Sequence, residues 1–166
     1  MIITSTGKIR DNFYLLGHPG YPMFLVDAQK PVIFEAGVCF AGNIYAKEIR
    51  AILGNRQPSA LFLTHVHWDH CGAVSYLKET FPSLKVAASG LAVEILKRQN
   101  ALALITKLNE DARIMMSSFP GVDCSQFLDD SFRPFTVDIE LEDDSIMNLG
   151  DGTTVEILAT PGHTRD

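Results

Sequence analysis

Four side chains able to bind a metal ion fall within six residues: His65, His67, Asp69 and His70, in the run Thr64-His65-Val66-His67-Trp68-Asp69-His70. Zinc accepts imidazole nitrogen and carboxylate oxygen. It takes four ligands, and a catalytic site draws three from the protein and leaves one position for water. The preceding Ala60-Leu61-Phe62-Leu63 is an unbroken apolar run, as in a strand buried on both faces. Alternate side chains of a strand share a face, so His65 and His67, at the strand's end, can point at one ion. Asp69 and His70 follow on the turn, within reach of that ion or of one beside it. Val66 and Trp68 then face the core or the rim. A single histidine is usually an ordinary hydrogen-bonded residue. Three of the chain's five histidines in one short run, beside an aspartate, predict a metal site.

The remaining candidates are weaker. His163 follows Pro161-Gly162, whose bend would aim it from a strand end. His18 lies in the turn-forming Gly17-His18-Pro19-Gly20-Tyr21-Pro22 and reads as a turn residue. Cys71 adjoins His70, but a small buried residue behind the site is the favoured reading. Cys39, Cys71 and Cys124 are widely spaced and odd in number, which is no disulfide framework.

The elements that must position these residues follow from periodicity. The segments 8–16, 23–26 and 32–34 are predicted as strands of an antiparallel meander. Apolar residues at Ile44, Tyr45, Ile49, Ala51 and Ile52 predict a helix over 41–53, with Gly54 as its stop. A helix over 73–81 and a strand over 84–88 complete an order that indicates α/β organisation. Ile95, Leu102, Ile105, Leu108, Ala112 and Met115 recur at helical spacing across 90–118, as one helix or two broken near Asn100, with Phe119-Pro120-Gly121 ending it. Residues 121–130 read as loop. Residues 146–149 and 153–158 read as a hairpin around Asp151-Gly152, whose last strand delivers Thr160-Pro161-Gly162-His163.

The 166 residues suffice for one domain with a hydrophobic core, and 46% apolar and 20% charged residues are ordinary for a globular chain. No apolar run approaches the roughly 20 residues that span a bilayer. No basic stretch followed by an apolar one opens the chain, so a cytoplasmic location without membrane association is the default expectation. The net charge is −6, and between Ile114 and Thr164 Arg133 is the only Lys or Arg among ten Asp and Glu. A nucleic-acid partner would need basic clusters; Lys97-Arg98 is an isolated pair, read as part of a solvated helix face.

His65-Val66-His67-Trp68-Asp69-His70 resembles the His-x-His-x-Asp-His signature of the metallo-β-lactamase superfamily, and Thr160-Pro161-Gly162-His163-Thr164 is similar to its next motif. Asp11-Asn12-Phe13-Tyr14-Leu15-Leu16 and Val32-Ile33-Phe34-Glu35-Ala36-Gly37 resemble its opening strands, so the likeness runs the length of the chain. The resemblance implies an αββα sandwich, of which residues 1–166 form a single domain covering the first half, with a helical insertion at 90–118. It implies that His65, His67 and His163 hold a first metal and that Asp69 and His70 contribute to a second. It makes Asp69 the catalytic residue that orients the attacking water or accepts its proton. One or two zinc ions are expected, with iron or manganese as alternatives.

Two departures stand out. Glu35 occupies a position where the family usually has Asp, supporting the site from behind. The family's later bridging aspartate and final histidine have no counterpart in residues 1–166. Half a sandwich leaves an apolar face uncovered, so a missing C-terminal half or a homodimer is expected to cover it.

The function implied is a metal-dependent hydrolase cleaving a small-molecule thioester, lactone or related ester, in the manner of glyoxalase II or lactonases. The alternatives are a β-lactamase-like amidase, a mononuclear-iron sulfur dioxygenase, a nuclease of the RNase Z kind and a catalytically incomplete metal-binding fragment. The segment 90–118, with Met115, Met116 and Phe119, is a candidate lid or substrate wall; packing of its apolar stripe on the domain or on a second subunit is the favoured reading.

Overall fold

The computed structural model describes residues 6–18, 20–118 and 123–166. The expectations for Pro19 and for the helix stop at Phe119-Pro120-Gly121 lie outside the described residues, as does the opening Met1–Ser5.

A seven-stranded sheet organises the chain in the order β1-β2-β3-β4-β5-β6-β7. Its first four strands, β1 (Gly7–Arg10), β2 (Phe13–His18), β3 (Tyr21–Val26) and β4 (Val32–Phe34), are antiparallel neighbours. The meander is therefore as predicted, with one correction. The segment expected as a single strand over 8–16 is two strands, because Asp11 turns the backbone at φ 40°.

From β4 onward the sheet is parallel, through β5 (Ala60–Phe62), β6 (Lys85–Ser89) and β7 (Ile139–Leu141). β7 was not foreseen. It has three residues, none fully buried, and no turn signal of its own, and it is held by Asp138, whose carboxylate accepts from Val86 N (2.9 Å) and Lys78 Nζ (2.7 Å).

The helices are α1 (Gly42–Leu53), α2 (Trp68–Cys71), α3 (Val74–Thr80), α4 (Gly90–Leu96) and α5 (Gln99–Ser117). The helical segment over 90–118 is thus two helices, broken at Lys97-Arg98, just ahead of Asn100. Lys97 and Arg98 cap helix ends there, and Lys97 pairs with Glu94 at 2.6 Å.

Strand alternation divides the apolar residues between two layers. Ile33, Leu61, Val86 and Ala88 face Tyr45, Ile49, Val74, Leu77, Ile105 and Ala112 of the helices. Val32, Phe34, Ala60, Phe62 and Ala87 face the other way, with the Phe34 and Phe62 rings stacked at 5.2 Å. That second face meets a separate hairpin, β8 (Ile146–Gly150) and β9 (Thr153–Glu156), through Met147, Leu149, Val155 and Ile157. The hairpin turns at Asp151-Gly152 as expected, but β9 stops at Glu156 and an irregular stretch carries the chain on to His163.

The cover is partial. A cavity of about 550 Å³ opens between Phe34 and Phe62 on one side and Val155, Ile157 and Leu158 on the other. The fold is α/β, with helices on one face of the sheet and a two-stranded hairpin on the other.

Candidate metal centre

β5 ends at Phe62, and its parallel neighbours β4 and β6 fix where its C-terminal end lies. Leu63 N still donates to Ala87 O at 2.9 Å, so the chain leaves the sheet only at Thr64. His65 follows, His67 adopts extended backbone, and α2 then opens with Trp68, Asp69 and His70. The turn is braced by the segment after β4: Ala36 N donates to His70 O (2.7 Å), Gly72 N to Gly37 O (2.8 Å) and Ala73 N to Ala36 O (3.1 Å). Gly72 is required by this closeness. A Cβ there would lie 2.6 Å from Cys39 N and 2.7 Å from Gly37 O, both backbone atoms that cannot step aside.

His163 arrives from far along the chain. Its Nε2 lies 3.2 Å from Nδ1 of His67, and its ring is 5.4 Å from that of His65. His65, His67 and His163 each place a ring nitrogen within 4.8 Å of the others. Among the described residues this is the one group of three or more His, Cys, Asp or Glu that gathers so closely. His70 and Asp69 sit beside it: the His70 ring is 4.0 Å from that of His65, and Asp69 Oδ2 is 3.8 Å from His70 Nε2.

Glu35 ties these residues together. It is buried and adopts φ 66°, a left-handed conformation rare outside glycine and often found at functional sites. Its Oε1 accepts from Thr64 Oγ1 at 2.5 Å, and its Oε2 lies 3.2 Å from His70 Nδ1, close enough for an ion pair but not aligned as a hydrogen bond. Thr64 has one hydroxyl proton, and the carboxylate takes it. The 2.9 Å contact between Thr64 Oγ1 and His65 Nδ1 must then be donated by the imidazole. This hydrogen-bond chain assigns the tautomer of His65 and leaves Nε2 as an unprotonated lone pair.

That Nε2 is buried and has no hydrogen-bond partner. An orphaned, buried nitrogen beside two more imidazoles is the donor set a metal ion fits. Burial, then the neighbouring His70 and His67, lower the pKa of His65, which favours the neutral ligand form. Burial alone would lower His70 too, but contact with Glu35 and the charges of Glu35 and Asp69 outweigh it and raise its pKa.

The other sequence candidates lie apart. Cys71 is fully buried, directs Sγ toward Val66 O at 3.7 Å and has its pKa raised by burial. His18 accepts from Gly20 N at 3.0 Å at the β2–β3 turn. Val66 is buried, and Trp68 packs edge-on against Tyr21 at 5.7 Å.

Two supports escaped the sequence reading. Asp166 Oδ2 accepts from Val66 N at 2.9 Å, within the histidine motif. Asn109, buried in α5, accepts from Cys39 N (2.9 Å) and donates to Trp68 O (3.1 Å), pinning the start of α2 to the long helix. A polar residue on the buried Ile105–Asn109–Ala112 stripe was its only sequence signal.

An α/β sheet followed by a loop that carries His65 and His67, met by His163 from a distant loop, gives a histidine cluster that could hold a metal ion, as in proteins of the β-lactamase-like kind. The chain belongs to the metallo-beta-lactamase superfamily, whose family model matches residues 16–166.

Among its relatives, the human acyl-coenzyme A thioesterase MBLAC2 is 24% identical, over 95% of this chain and 55% of its own length. The Caenorhabditis elegans beta-lactamase-like protein 2 homolog is 26% identical, over 93% of this chain and 38% of its own. The fold is shared with BJP-1, a subclass B3 metallo-beta-lactamase of Bradyrhizobium japonicum (TM-score 0.68, 21% identity, 96% of this chain and 53% of that one). It is shared equally with LRA-12, a class B3 di-zinc metallo-beta-lactamase from an Alaskan soil metagenome (TM-score 0.68, 23% identity, 96% and 53%). The chain thus spans about half the length of these solved structures and of the human relative. Membership places it in a family of hydrolases. No helix among the described residues is long and apolar enough to cross a membrane.

Proposed function

We propose that the full-length protein is a metal-dependent hydrolase that cleaves a small-molecule thioester, lactone or related ester. The observation that carries this reading is the convergence of His65, His67 and His163 on one point, with His65 Nε2 buried and unpartnered. These three histidines would hold the first ion, with zinc the proposed metal, and Asp69 and His70 would contribute to a second. Such an ion supplies Lewis acidity for the substrate carbonyl and brings the pKa of water toward about 7.

The chain's own residues do the rest. Glu35, through Thr64, holds His65 in the tautomer that presents Nε2. The clamp from Ala36 and Gly37 to His70 and Gly72 fixes the motif before any ligand arrives, so little ordering is left for binding to accomplish. Asp69, about one-third exposed at the edge of the cluster, is the proposed acceptor of the water proton. In the net step water adds its oxygen to the carbonyl carbon, the bond to sulfur or oxygen breaks, and the leaving group departs with a proton.

The thioester preference is supported by the human relative, an acyl-coenzyme A thioesterase, and the acidic chain disfavours a nuclease. The test is metal analysis of the full-length protein, with hydrolysis assays on a thioester, a lactone, a β-lactam and an RNA. Stoichiometric metal with thioester or lactone turnover is expected. A protein that binds no metal and turns over none of the four would overturn the reading.

A further inference from the structure

A second apolar feature borders the histidine cluster. α5 carries two stripes. Ile105, Asn109 and Ala112 point into the core, whereas Ala101, Leu104 and Leu108, spaced three and four apart, share a different face. Leu104 is 56% exposed. That second stripe is only partly buried, with Ala101 and Leu108 half-buried. Together with Ile95 of α4 and the Trp68 ring, it walls a groove of about 370 Å³, within the range of small-molecule sites. His67 and His163 themselves line the groove, with Thr164, Arg165 and Asp166 as its other polar residues, and its remaining walls are aliphatic or aromatic. The shape is that of a site for an amphiphile, with a head at the imidazoles and a tail along α5.

We propose that this groove seats the apolar acyl chain of the substrate, so that the protein selects thioesters or esters with medium to long unbranched acyl groups. The tail assignment rests on the groove alone; placing the scissile carbonyl at its head rests on the hydrolase reading above. Buried methylenes gain affinity in proportion to number, and each one seated should raise kcat/KM about fourfold. Leu104 and Leu108 are then specificity-determining residues, and Trp68, the one tryptophan of the 166 residues, is a built-in reporter.

The binding arm uses the full-length protein with metal removed. Tryptophan fluorescence is titrated with 9,10-dibromostearate below its micelle concentration, and the signal of a Trp68→Phe variant is subtracted. Saturable quenching assigned to Trp68 is expected, weakened about tenfold or more by Leu104→Glu and restored by Leu104→Met. Because Leu104 is exposed, both variants should melt within a few degrees of the parent, which checks that they fold. Quenching that does not saturate, or that is no greater in the parent than in Trp68→Phe, overturns the proposal; so would occupation of the groove by a later part of the chain, which would give no quenching at Trp68.

The kinetic arm uses the metal-loaded protein and thioesters of one thiol, from acetyl to palmitoyl. A steep rise in kcat/KM with chain length, flattened in Leu104→Glu, supports the groove. Acetyl thioester turnover with no chain-length dependence overturns the groove and leaves the hydrolase standing. Saturable quenching without turnover of any thioester supports the groove and overturns the hydrolase reading.

Discussion

The family resemblance puts Glu35 behind the site, and only the fold gives its partners: it reaches His70 directly and His65 through Thr64. Partners behind a metal ligand set its tautomer and orientation, and losing one costs about 10- to 100-fold in metal affinity. Glu35→Gln is expected to weaken zinc binding by that factor, measured by competition with a chromophoric chelator; an unchanged affinity would remove Glu35 from the site's support. Asn109→Leu should leave Cys39 N unpaired in the core and free the Trp68 carbonyl, costing about 2–3 kcal/mol in chemical denaturation. A loss below about 0.5 kcal/mol would show that the bridge contributes nothing. The histidine motif was legible because its signal is local: two histidines at strand spacing, then a turn. Glu35 and Thr64 are 29 residues apart, Asn109 and Cys39 are 70 apart, and Asp166 and Val66 are 100 apart. No spacing rule reports such pairs, because the fold alone brings them together.

Elements with a strong period or a strong stop were read from sequence with small errors at their ends. β5 was plain because an apolar run buried on both faces has few other uses, and α1 because Gly54 ends a clear helical stripe. β7 was not, because three residues with alternate partial exposure carry almost no pattern; it exists through its pairing with β6 and the anchor at Asp138. Burial opposes ionisation of Asp138, but Lys78 and the Val86 amide outweigh it and hold its pKa below the usual carboxylate range. A carboxyl with a depressed folded-state pKa stabilises the fold above its unfolded pKa, and that contribution disappears as pH falls through the depressed value. Unfolding followed from pH 7 to pH 2 should therefore show Asp138→Asn less stable than the parent by about 1.5 kcal/mol at pH 7, with the gap closing in strong acid. A gap independent of pH would mean that the charge is irrelevant. Gly72→Ala, which forces a Cβ onto the backbone of Gly37 and Cys39, is expected to lower stability by about 1–3 kcal/mol and weaken metal binding with it, since α2 must shift.

At the scale of the molecule, the sheet has one complete face and one incomplete one. Helices seal the first, whereas the β8–β9 hairpin leaves a cavity beside Phe34 and Phe62 and exposes Ile146 and Leu158. The sequence reading foresaw an uncovered apolar face from the family's two-sheet plan but not that a hairpin would partly fill it. The hairpin's apolar residues, Met147, Leu149, Val155 and Ile157, look like any short amphipathic strand pair until a partner sheet is in view. A C-terminal half or a second copy remains the proposed cover. Whether three histidines meet at one ion is measured most directly by zinc titration of the full-length protein and of His65→Ala, His67→Ala and His163→Ala. A tight, stoichiometric zinc is expected in the parent, with affinity falling by at least about 100-fold in each of the three variants. Zinc binding that is absent from the parent, or equally tight without His163, would contradict it.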